Sequence, residues 1–169
     1  MLKPVKTNLS PNLRAGGAAF AIVASQYNAR YVDAMLRAAK AELKRAGARA
    51  VHVFRVPGAY EIPIVAARLA RRGISSHASR ITDHATPPAA IICLGVILRG
   101  ETVHAAHIGE AVSRALMDIQ LQHEVPVIHE VLLLENEAQA RVRCLGKQHS
   151  RGAEAARTAL AMAHVMKLL

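Results

Sequence analysis

Four strand-length apolar runs, each followed by a helical pattern, constrain this chain more than any other feature. The runs are Ala18 to Ser25, Ala50 to Val56, Ala89 to Ile97 and Val125 to Leu134. A strand with one wet face alternates apolar and polar residues, whereas a strand covered on both faces reads as a nearly continuous apolar run. Between the runs lie helical patterns. Tyr31 to Ala46 places Val32, Met35, Leu36, Ala39 and Leu43 on one face and stops at Gly47. Tyr60 to Arg72 stops at Gly73 and tolerates Pro63 in its first turn, where the missing N–H is not needed. Val103 to His123 carries Ile108, Val112, Leu116 and Ile119 on one face, and a short helix, Glu137 to Cys144, and a last one, Ala153 to Leu168, complete the order. Strands alternating with helices predict an α/β fold, a parallel sheet covered by helices on both faces.

The rest of the chain fits around that unit. Residues 1–16, with Pro4 and Pro11, read as a flexible N-terminal arm rather than a signal peptide, and residues 17–169 as one domain. Ile74 to Pro88, polar and basic with His77, His84 and a Pro pair, breaks the pattern as an inserted loop at about 74–88, of the kind that is functional or disordered. Only 3% of the residues are aromatic while 52% are hydrophobic, so Ala, Val, Ile and Leu must build the core, a composition that favours self-association. The net charge of +10 admits anionic partners. Its Lys and Arg are spread along helices without interleaved aromatics, so direct nucleic-acid binding is not expected. No run reaches a membrane span, and Cys93 and Cys144 lack metal or redox spacing; both features point to a cytoplasmic protein with reduced cysteines and no metal.

Ligands of open parallel sheets collect beyond the carboxyl ends of the strands. The loops there hold Gln26, Tyr27 and Asn28; Pro57 to Glu61; Leu98 to His104; and Glu135 and Asn136. Gly95 to His104, G-V-I-L-R-G-E-T-V-H, ends a strand in a Gly-flanked turn and starts a helix on a His. Backbone N–H groups at such a helix start attract phosphate, and imidazole both takes and gives protons near neutral pH. Two readings stand for these ten residues: an anion site beside a proton carrier, or an ordinary connection carrying a solvated His. Tyr27 is a stacking platform or a packing ring, and Glu61 a ligand or a helix-start residue.

Val56 to Pro63 (V-P-G-A-Y-E-I-P), Gly95 to His104, and K-Q-H-S-R-G-A-E-A-A from Lys147, in that order, resemble the lumazine synthase family of riboflavin biosynthesis. The likeness runs from about Phe20 to Leu168, outside the arm and the inserted loop. It implies a three-layer α/β/α sandwich, flavodoxin-like, with a four-stranded parallel sheet to which a neighbour's N-terminal arm adds a strand. It also implies homopentamers with active sites at subunit interfaces, which in some members build a hollow shell. The implied activity is that of a transferase that needs no cofactor. It condenses 5-amino-6-(D-ribitylamino)uracil with 3,4-dihydroxy-2-butanone 4-phosphate to 6,7-dimethyl-8-ribityllumazine.

Carried over by resemblance, Tyr27 stacks on the pyrimidine with Asn28 beside it, Ala59, Tyr60 and Glu61 hold the ribityl chain, and Val96, Ile97 and Leu98 meet the uracil. Gly100, Glu101 and Thr102 match the phosphate loop, His104 the proton-transfer His, and Arg143 the phosphate Arg. Four places depart from the family. His129 stands where an adjacent subunit usually supplies an aromatic wall, Glu130 replaces a Gly, Leu133 and Leu134 replace a Thr pair, and Arg151 replaces a Lys at a substrate-binding position. His107, three residues beyond His104, is a second imidazole that either tunes the first or is simply solvated. The alternative function is a paralogue that binds flavin or lumazine without turnover, or that forms a shell.

Overall fold

The computed structural model describes residues 13–74, 86–146 and 150–169. Most of the expected arm, the middle of the inserted loop and Lys147 to His149 of the third motif lie outside them. Four parallel strands, β1 (Ala19–Ser25), β2 (Ala50–Val56), β3 (Ile91–Leu98) and β4 (Val127–Leu134), form one sheet in the order β2-β1-β3-β4. The strands β1 and β3 at its centre are buried almost throughout, as their continuous apolar runs require.

Side chains alternate between two helical layers. Phe20, Ile22 and Ala24 of β1, with Ile92, Leu94 and Val96 of β3, pack with α1 (Ala29–Arg45) and α5 (Arg151–Val165). Ala21 and Val23, with Ile91, Cys93 and Ile97, pack with α2 (Ile62–Arg72) and α3 (His104–His123). This is the three-layer α/β/α flavodoxin-like arrangement. Each fully buried Ile, Leu or Phe in these layers contributes about 1.5–3 kcal/mol before entropy is charged. The α1/α5 contact is close at Gly152, where any Cβ would overlap the backbone of Met35. Glu42 of α1 holds the same two helices together, accepting from Arg157 Nε of α5 at 3.0 Å and Arg45 Nη2 at 2.7 Å. The hydrogen bond from Arg45 leads the contacts that keep its carboxyl below the usual range despite burial.

Several boundaries differ from the sequence expectation, for local reasons. β4 starts at Val127 rather than Val125 because Pro126 has no N–H to enter a ladder, although its carbonyl accepts from Ile91 N at 2.8 Å. Asn28, left-handed at φ 56°, turns the chain so that α1 begins at Ala29. A 3-10 turn, Ala59–Glu61, leads into α2, so the helix proper starts at Ile62 rather than Tyr60. The expected helix Glu137 to Cys144 is α-helical only as α4 (Glu137–Ala140); Arg141–Leu145 form a wider π turn. Asn136 caps α4, its Oδ1 accepting from Gln139 N at 3.0 Å. The inserted loop is closed at its base by an antiparallel bridge between Ile74 and Thr86.

Candidate active site

The carboxyl ends of β1, β2 and β3 open into a cleft of about 930 Å³ bounded by the first turns of α3 and the 3-10 turn. Its geometry begins with the backbone. Gln26 and Tyr27 donate their N–H groups to Pro57 O at 3.1 and 3.0 Å, which ties the β1 loop to the β2 loop. Asn28 Nδ2 donates to Val96 O at 2.8 Å, tying the same loop to β3. The left-handed backbone of Asn28, which Asn tolerates better than most residues, aims the amide across the sheet end.

On this frame the side chains are set out. Glu61 Oε2 accepts from Gly58 N at 2.8 Å, so one carboxylate oxygen is fixed by the loop it borders and the other makes no hydrogen bond among the described residues. Gly58 has no room for a side chain: a Cβ would lie 2.8 Å from that Glu61 oxygen and 3.0 Å from the Tyr27 ring. Tyr27 and Tyr60 are two large rings that are 70% and 64% exposed in the single chain. His104 is the first residue of α3, and no side chain caps this helix; Ala106 N–H donates to Val103 O at 3.0 Å, while the N–H groups of His104 and Ala105 have no hydrogen-bond partner among the described residues.

The cleft brings together Tyr27, Asn28, Ala59, Tyr60, Glu61, Val96, Ile97, Leu98, Gly100, Thr102 and His104. Four of the residues singled out from sequence do not line it: Glu101, His129, Arg143 and Arg151. Glu101 is exposed in the turn. His129, on the edge strand β4, faces α3, with Nε2 2.8 Å from Ser113 Oγ and Nδ1 accepting from Val131 N at 3.1 Å. A backbone N–H can only donate, so Nδ1 is unprotonated and Nε2 carries the hydrogen. Desolvation holds the His129 pKa below the usual imidazole value. Arg143 is exposed on the π turn after β4, a type of turn frequent at functional sites. Arg151 is bound by carboxylates, to both oxygens of Glu130 and to Glu154.

Sequence reading gave no role to Gly58, Ala105, Ile108 or Ala111, which also line the cleft. The last three, with His104 and His107, follow one helical face, and that spacing is the signal that could have found them. His107 also lines the cleft and is exposed. Among the described residues no group of His, Cys, Asp and Glu could hold a metal ion, and no helix is long and apolar enough to cross a membrane.

Residues 17–167 match the family model described as 6,7-dimethyl-8-ribityllumazine synthase. The chain belongs to that family. Proteins named 6,7-dimethyl-8-ribityllumazine synthase are similar to it across nearly their whole length. The one from Xanthomonas euvesicatoria pv. vesicatoria (strain 85-10) is 39% identical over 165 residues, covering 96% of this chain and 99% of the relative. The one from Xylella fastidiosa (strain 9a5c) is 40% identical over 165 residues with the same coverage, and that of strain M12 is 41% identical over 160 residues, covering 94% and 96%. Membership in the lumazine synthase family bears out the resemblance carried by the three sequence motifs, and with it the flavodoxin-like fold.

Proposed function

We infer that this chain condenses 5-amino-6-(D-ribitylamino)uracil with 3,4-dihydroxy-2-butanone 4-phosphate to 6,7-dimethyl-8-ribityllumazine, releasing phosphate and two waters. The observation that carries the reading is one cleft holding an exposed aromatic ring, an oriented carboxylate and a histidine at an uncapped helix start. Tyr27 stacks on the pyrimidine. Backbone groups of Val96 to Leu98 meet its edge; Val96 O already accepts from Asn28 and keeps its second lone pair. The free oxygen of Glu61, with Ala59 and Tyr60, takes the ribityl hydroxyls.

The chemistry asks mainly for proton transfers. The 5-amino group attacks the ketone and water leaves as the imine forms; phosphate is expelled; the ribityl-bearing nitrogen closes the ring with loss of a second water. His104 takes and returns the protons that these steps move. The N–H groups of His104 and Ala105 at the start of α3, with Gly100 and Thr102, receive the phosphate, and the guanidinium of Arg143 pairs with it bidentately.

Because His129 and Arg143 do not line the cleft of their own chain, the complete site takes them from a neighbouring subunit, in a homopentamer. The exposed Ile64, Met117 and Leu121 on the α2 and α3 layer supply apolar surface for that contact. Two free buried cysteines fit a reducing, cytoplasmic setting. Mixing the purified protein with both substrates and following lumazine fluorescence tests the reading. A protein that binds the pyrimidine but produces no chromophore is a non-catalytic relative instead. Sedimentation at micromolar concentration tests the assembly, and a stable monomer would overturn the shared site.

A further inference from the structure

One carboxylate lies on an otherwise apolar face of β4. Glu130 is 5% exposed, between Ile128 and Leu132 on the side of the sheet facing α1 and α5, and it is paired in register with Leu94 of β3. A single guanidinium holds both of its oxygens: Arg151 Nε donates to Oε2 at 3.0 Å and Nη2 to Oε1 at 2.7 Å. Arg151 Nη1 donates in turn to Glu154 Oε2 at 2.7 Å. Three of its five N–H donors are thus engaged, and its one positive charge is shared by two carboxylates. The charge of Arg143 is the weakest of the influences on the Glu130 carboxyl, and Arg143 forms no ion pair among the described residues. The two arginines therefore bear on one carboxylate, one tied to it and one open.

We propose that Glu130 is a positioning residue that holds Arg151 away from the phosphate-bearing substrate and leaves Arg143 to meet it, so that Glu130 sets the affinity of the site for phosphate. The proposal rests on the assignment of Arg143 to phosphate given above. A phosphate competing for Arg151 must displace a bidentate, buried carboxylate, and charge-assisted pairs of that kind are the strong ones. The departures at Glu130 and Arg151 then act together: the carboxylate neutralises the larger, more strongly donating cation that replaces a lysine.

The arrangement makes the affinity respond to pH. The charged and titratable groups facing Glu130 are Arg151 and Glu154 from α5 and Arg143 and Cys144 from the π turn, while Leu94 on β3 is uncharged. Burial lifts the Glu130 carboxyl to about 7, with Arg151 opposing and Glu154 adding to the rise. Protonation below that point releases Arg151 from one of its two partners.

Inorganic sulfate, whose charge is constant between pH 6 and 8, is the probe, measured as an inhibitor competing with the phosphate-bearing substrate. Glu130→Gln is expected to tighten sulfate inhibition at pH 8 by about tenfold, the worth of one regained charge-assisted contact. The gain between pH 8 and pH 6 should be smaller in that variant than in the parent. Glu130→Gly, which places the family's usual residue there, should behave alike and serves if the Gln variant folds poorly. Adding Arg151→Met to Glu130→Gln should return the inhibition to the parent value. Unchanged inhibition in both single variants at pH 8, or a gain that survives loss of Arg151, overturns the proposal. If Arg143→Ala leaves sulfate inhibition intact while Glu130→Gln tightens it, the assignment of Arg143 fails and the control of Arg151 by Glu130 stands.

Discussion

Replacing Gly152 by Ala adds one methyl group where α5 meets the backbone of α1, and the outcome can be worked from two opposing terms. Alanine favours the helix over glycine by up to about 1 kcal/mol, and by less here because Gly152 lies in the first turn of α5. Against this, the methyl would overlap backbone atoms of Met35, not the movable end of a side chain. Met35 cannot retreat, since its side chain is fully buried with Val32 and Ala39 in the layer beneath. The start of α5 must withdraw instead, loosening Ala155, Ala156 and Ala159 from the core and straining the Arg151 to Glu130 pair one residue away. Overpacking of this kind costs about 1–3 kcal/mol, with a rigid backbone obstacle at the upper end. The net expectation is a loss of about 2 kcal/mol, which for a chain of this size lowers Tm by roughly 4–8 °C. Thermal unfolding of the variant and parent at matched concentration measures it. Gly100→Ala is the control, because a Cβ there meets nothing within 4 Å. A Gly152→Ala protein with Tm equal to or above that of the parent would refute the reasoning and mean that α1 and α5 separate at no cost.

His104→Ala should lower kcat by about 100-fold or more while leaving substrate affinity close to that of the parent, as loss of a general acid-base group does; steady-state kinetics would show it, and a residual rate from substrate proximity should remain. Arg143→Ala should raise KM for the phosphate-bearing substrate and leave binding of the pyrimidine, followed by fluorescence, nearly unchanged. Stability should depend on pH through Glu130. Its folded pKa, about 7, lies above the unfolded value, so the native state holds the proton more tightly. The contribution is fully present below the unfolded pKa and is lost as pH rises through 7, and urea titrations from pH 5 to 8 should show a decline that Glu130→Gln reduces.

The fold was legible because both central strands are apolar on two faces and alternate with helical patterns, as a covered parallel sheet requires; Phe20 to Ala24 and Ile91 to Leu94 are all fully buried. The cleft was legible where backbone chemistry forces residue choice, at Asn28 with its left-handed turn and along the Gly95 to His104 stretch that starts α3. What sequence could not supply was contact between distant positions. Glu130 and Arg151 are 21 residues apart on a strand and a helix, and nothing in either segment announces that they form one ion pair. Nor does periodicity distinguish the π turn at Arg141–Leu145 from a continuing α-helix, since Ala140 and Cys144 keep an apolar spacing of four in either case. Residues 147–149, 75–85 and most of the arm fall outside the described residues, so what was expected of them has no structural counterpart here.

The hydrogen bonds of His129 have a consequence for the surface it presents. Histidine is usually selected for its readiness to change charge near neutrality, yet here Val131 N–H occupies one ring nitrogen and Ser113 Oγ, which itself donates to Gly109 O at 2.7 Å, is engaged by the other. Protonating Nδ1 would set two hydrogens against each other across 3.1 Å, and desolvation already disfavours the cation. The ring is thereby pinned in one orientation and biased toward its neutral form, so the edge strand carries a fixed imidazole plate in place of a swinging side chain.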